Sequence, residues 1–108
     1  MIDLIEHYRP EVSTLCRRFG VQSLEVFGSA ADGAFDPARS DIDFLVTFSA
    51  EDQRNLFRRY FELQESLEKL FDRKVDLVST AALSNPFFIE AVNRSRQPVY
   101  AAPRTQAA

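Results

Sequence analysis

The chain has 108 residues, 45% hydrophobic and 27% charged, with a formal net charge of −3, which suits one core and argues against unspecific binding to nucleic acid. No apolar stretch approaches the ~20 residues of a membrane span, and the N-terminus lacks the basic and apolar run of an export signal, so a cytoplasmic protein without a membrane partner is expected. The single cysteine, Cys16, has no partner for a disulfide or a zinc site and falls on an apolar helical stripe, which makes it a core residue rather than a nucleophile.

From Ile5, the apolar residues Tyr8, Val12, Leu15, Cys16 and Phe19 recur at three- and four-residue steps, and Gly20 follows. That spacing predicts a helix over 3–19, ended by glycine. Pro10 lacks a backbone donor and disfavours helical geometry at Arg9, so either a kink or a helix restarting with Pro10 as its first residue is expected. "VQSLEVFG" is a β-prone run closed by glycine, "AADGAFDPARS" carries turn chemistry, and "DIDFLVTF" is a second strand. Ser49 with Asp52 reads as an N-cap and capping box for a long helix to about Phe71, on which Leu56, Tyr60, Leu63, Leu67 and Leu70 form one stripe. Phe57 and Phe61 flank that stripe, which suits either a wide core face or a partner surface. "RKVDLVS" is a third strand, Asn85 and Pro86 start a helix over 87–96, and "PVYA" is an edge strand before a polar tail over about 103–108. The order predicts a single α/β domain, a small mixed sheet flanked by helices.

The strand beginning "SDIDFLV" poses a physical question, since it opens a buried apolar run with two like charges. Side chains alternate along a strand, so Asp41 and Asp43 share a face, about 6.6 Å apart along the chain. Ile42, Phe44, Val46 and Phe48 take the opposite face and fix the register. Two carboxylates this close repel unless a cation neutralises them, and hard oxygen donors of this kind suit Mg²⁺ carrying substrate phosphates. Asp76, in the apolar strand after the long helix, is the third carboxylate that phosphoryl or nucleotidyl transfer wants, and a crossover through that helix can return it beside the pair. Gly28 and Ser29 add a turn where backbone can approach phosphate closely. The plainer alternatives are a turn-capping role for Asp41 and an edge-strand charge against aggregation for Asp76. His7 has no partner at ligand spacing and reads as a solvated helix residue, and neither Ser13 nor Ser29 has a His-Asp relay.

Taken together, "FGSAADGAFDPARSDIDFLV", "RKVDLVS" and "NPFFIEAVNRSRQPVYA" resemble the nucleotidyltransferase superfamily that includes DNA polymerase β, and within it the minimal nucleotidyltransferases paired with HEPN-domain proteins in toxin–antitoxin systems. The resemblance implies a nucleotidyltransferase fold and an antitoxin that transfers AMP from ATP to a hydroxyl, in all expectation a tyrosine, of a cognate HEPN toxin. It implies that Gly28, Ser29, Gly33, Ser40 and Lys74 bind the nucleotide, and that Asp41, Asp43 and Asp76 hold Mg²⁺ and carry catalysis. Where the family often has arginine before the second glycine, this chain has Asp32. Lys74 or Arg39 is expected to supply the missing positive charge. Two alternatives stand beside this one: a module of the same fold that neutralises the toxin by binding alone, and a nucleotidyltransferase for small molecules that works as a dimer.

Overall fold

The computed structural model describes residues 2–32, 36 and 41–103. Two short helices, α1 (Asp3–His7) and α2 (Arg9–Arg18), lead into strand β1 (Val21–Phe27), a one-turn helix α3 (Ser29–Asp32) and strand β2 (Ile42–Phe48). Helix α4 (Leu56–Phe71), strand β3 (Val75–Ser79), a 3₁₀ turn over Thr80–Ala82, helix α5 (Pro86–Ser95) and strand β4 (Gln97–Ala101) follow in the described residues. The sheet runs β3-β2-β1-β4. Only the β2/β3 pair is parallel, because α4 carries the chain back to start β3 beside β2. The sheet is therefore mixed and small, as the sequence predicts.

The expected first helix is two helices. The break falls at Tyr8 (φ −96°, ψ 10°), and the second begins one residue before Pro10, where the missing proline N–H costs nothing because first-turn donors have no partner inside a helix. Gly20 (φ +71°) follows the C-cap Phe19, in the left-handed conformation expected there. Asn85 caps α5 as predicted, its side chain accepting from the N–H groups of Phe87 and Phe88 at 2.9 and 3.3 Å. Ser49 does not cap α4. Its hydroxyl instead accepts from Glu51 N–H at 3.3 Å within a tight turn, and α4 starts six residues later after Asn55 (φ 53°), which makes no side-chain cap. The intervening loop is fixed by Arg59, whose guanidinium donates to the carbonyls of Phe19, Asp52 and Arg54 at 2.9, 3.1 and 2.6 Å.

Alternation in β2 sorts the molecule into layers. Ile42, Phe44 and Val46 point into the main core, where they meet Val12 and Cys16 of α2 and Leu63, Leu67 and Phe71 of α4. Burial pushes the Cys16 thiol up to about 12, so at neutral pH it is an uncharged core group. Leu45 faces the other way, into a smaller cluster with Phe27 and Val92. One face of the sheet thus carries α2 and α4, and the other is covered by α5 through few buried side chains. Asp43 lies between Ile42 and Phe44 in β2, so it belongs to the thinly covered face.

Candidate active site

β2 and β3 bring two carboxylates together. Asp43 and Asp76 are register partners on adjacent parallel strands, each half-buried, and close enough for the charge of Asp76 to act on Asp43. The long helix thus returns Asp76 beside Asp43, as the sequence leads one to expect, while Asp41 lies one residue outside the paired strand. Burial, the charge of Asp76, and then the charge of Asp41 raise Asp43 from 3.8 to about 6. Near neutrality burial and the neighbouring charge both disfavour the Asp43 anion, and a cation placed between the two carboxylates would offset both.

Asp41 stands at the mouth of the strand, half-buried and just before its first residue. Its field reaches Asp43, but among the described residues no group of three His, Cys, Asp or Glu side chains is gathered as a metal site. The donor set that is gathered, two hard carboxylates side by side on adjacent strands, fits a divalent cation that brings its remaining oxygen ligands from substrate.

The turn after β1 approaches this pair at van der Waals limit. Gly28 adopts φ +71°, and a Cβ there would stand 2.7 Å from Asp43 Oδ2. Phe27, the residue before it, is the register partner of Asp43. Glycine is thus required twice, for the left-handed backbone and for the room that the carboxylate occupies. Ser29 begins α3, whose first turn is closed by Ala31 N–H donating to Gly28 C=O at 3.0 Å. Lys74 is exposed, immediately before β3, and does not line the cleft over the carboxylates. Gly33, Ser40 and Arg39 lie outside the described residues.

That cleft, of about 480 Å³, is lined by Phe27, Asp43, Tyr60, Gln64, Asp76, Leu77, Val78 and Phe88. Sequence reasoning placed Tyr60 in a core stripe and did not single out Gln64. Both reach the β3 edge: Tyr60 OH donates to Leu77 C=O, and Gln64 Nε2 donates to Val75 C=O at 3.0 Å. Burial and the charge of Asp76 raise the Tyr60 phenol above its ordinary value, which keeps it a neutral donor. The signal in the sequence was their spacing, two polar-tipped side chains four apart along the border of an apolar stripe. Phe88 meets Phe27 edge to face at 6.0 Å and closes the far wall. Phe57 (78% exposed) and Phe61 (49%) resolve the other open question about α4, since both lie outside the core.

With this geometry in view, comparison with known proteins is informative. Residues 12–99 match the family model described as "Nucleotidyltransferase domain". The protein adenylyltransferase MntA of Thermococcus cleftensis is 41% identical over 71 residues, 66% of this chain and 68% of that protein. A solved structure provisionally described as a minimal nucleotidyltransferase superposes with TM-score 0.73 at 33% identity, covering 89% of this chain and 93% of the other. A chain of a toxin–antitoxin complex crystallised with AMP-PNP superposes with TM-score 0.67 at 26% identity, covering 87% of this chain and 73% of that one.

Proposed function

Since the chain belongs to the nucleotidyltransferase domain family, we propose that it is a protein adenylyltransferase antitoxin that transfers AMP from ATP to a hydroxyl, a tyrosine in the simplest case, of a cognate HEPN toxin. The observation that carries this reading is the pairing of Asp43 with Asp76 in register on parallel strands beneath an open cleft, with Gly28 packed against Asp43. The relatives named above support protein as the acceptor and AMP as the group moved.

In this reading Gly28 and Ser29 hold the triphosphate at the turn after β1. Asp43 and Asp76, with Asp41 at the mouth of the strand, would hold Mg²⁺, which would offset the charge on the carboxylates and phosphates and make the α-phosphorus a better electrophile. Asp76, on the edge strand β3, takes the proton of the acceptor hydroxyl as its oxygen bonds to the α-phosphorus and pyrophosphate leaves. Tyr60 and Gln64 hold the β3 backbone that carries Asp76. Gly33 and Ser40 complete the nucleotide contacts, and Lys74, outside the cleft, or Arg39 offsets the charge of Asp32.

The test is intact mass spectrometry of the partner toxin after incubation with this protein, ATP and Mg²⁺, beside an Asp43→Asn control. A gain of one or more AMP masses with the wild type alone is expected. A toxin that is neutralised without any gain in mass would replace this reading with one of inhibition by binding.

A further inference from the structure

Three consecutive residues where α5 meets β4 hold the turn that follows β1, and we propose that this corner, Ser95-Arg96-Gln97, is a positioning clasp for the nucleotide-binding turn. The proposal rests on the reading of Gly28 and Ser29 as triphosphate contacts. The three residues of the corner reach the end of β1, the turn itself and α3. Arg96 pairs with Glu25 near the end of β1, Nε to Oε2 at 2.9 Å. Ser95 Oγ accepts from the N–H of Gly28 at 2.9 Å. Gln97 Nε2 donates to the carbonyl of Ala31, in α3, at 3.0 Å.

The turn needs such support because it cannot hold itself. α3 is a single turn of four residues, too short for helical cooperativity to stabilise, and its carbonyls fall among those that no intrahelical donor reaches. Gly28, with no side chain and a left-handed φ of +71°, is the joint with the most freedom to lose. Its N–H donates to Ser95, which fixes the peptide plane ahead of it. The corner is itself anchored: Gln97 is the register partner of Val26 in β4, and Arg96 also bonds Asn93 Oδ1 at 2.8 Å. None of the three lines the cleft, so they act through the turn rather than on the nucleotide. A turn fixed before the triphosphate arrives loses less entropy on binding.

The experiment compares wild type, Ser95→Ala, Ser95→Thr, Gln97→Ala and Ser29→Ala. Affinity for AMP-PNP with Mg²⁺ is measured by calorimetry at a temperature where every variant is folded, and the Gly28 amide shift is followed by NMR. Ser95→Ala and Gln97→Ala should each weaken binding by about threefold to tenfold, the net worth of one hydrogen bond. The Gly28 amide should shift in Ser95→Ala, and Ser95→Thr, which keeps the hydroxyl, should restore both readouts. A merely structural role would lower the melting temperature and leave affinity and the Thr rescue without effect. If both alanine variants bind as wild type while Ser29→Ala is weakened, the clasp is wrong and the phosphate reading stands. If Ser29→Ala also binds as wild type, or the wild type binds no nucleotide, both are wrong. Should Ser95→Ala fail to fold, Gln97→Ala, a change at a half-exposed side chain, decides the matter alone.

Discussion

Asp43 shows at the scale of one residue how a site is maintained against stability. Its carboxyl is raised from 3.8 to about 6, so between those values the folded chain binds more protons than the unfolded one and stability falls as pH rises. The cost is absent below about pH 4 and complete above about pH 7. A shift of that size sets a ceiling of roughly 3 kcal/mol, which solvent around a half-buried group reduces to about 1–2 kcal/mol. Asp43→Asn should therefore stabilise the metal-free protein by that amount at pH 8 and leave it unchanged at pH 4, while abolishing transfer. Chemical denaturation of both proteins in EDTA at the two pH values checks this, and equal stability at pH 8 would mean that neither burial nor its neighbours raise the Asp43 carboxyl. The placement of Asp43 was legible in the sequence because Ile42, Phe44 and Val46 leave it only one face. Its closeness to Gly28 was not, since the contact joins a turn and a strand separated by a segment without periodic pattern.

At the scale of elements, α4 separates what periodicity can state from what it cannot. The stripe through Leu63 and Leu67 is buried as predicted, and Phe71 joins it. Phe57 and Phe61 border the same stripe, yet their rings pack on one another at 4.7 Å and remain exposed. An apolar residue at the edge of a stripe has the same sequence signature whether the core reaches it or not. The two outcomes differ in energy. Leu63→Ala should cost about 2–4 kcal/mol, because it leaves a cavity beneath the sheet, whereas Phe61→Ser should stay within about 0.5 kcal/mol of wild type. Urea unfolding of the two variants measures the contrast, and a large loss for Phe61→Ser would place that ring in the core. The start of α4 was misread for a related reason. Ser49 and Asp52 have capping chemistry, but they spend it on a loop that Arg59 ties down from within the helix, a contact over 40 residues to Phe19 that local patterns cannot contain.

Over the whole molecule, the layers explain both the stability and the opening of the site. The mixed sheet and the order of its elements follow from strand and helix patterns, and the resemblance supplied the fold family. The place of β4 did not follow, because it joins the edge of β1 through pairings that skip most of the chain. The finished sheet is unevenly covered. α2 and α4 bury a large cluster on one face, while α5 contributes Val92 alone as a buried side chain, with Phe87 and Phe88 exposed. A helix with so little burial should open at a lower free energy than the strands beneath it. α5 also carries Phe88 at the cleft wall and ends in Ser95, whose hydroxyl holds Gly28, so its opening would release both sides of the site at once. Native-state hydrogen exchange should accordingly show two classes of amide: those of β1, β2 and α4 exchanging only with global unfolding, and those of α5 exchanging first. Saturating AMP-PNP and Mg²⁺ should slow α5 and the Gly28 turn together while leaving the α2/α4 layer unchanged, because a ligand that binds only the closed form raises the free energy of the opening that destroys its site. Exchange of α5 in step with α4 would mean that the thin layer is as firmly held as the thick one, and that the site opens only when the whole domain unfolds.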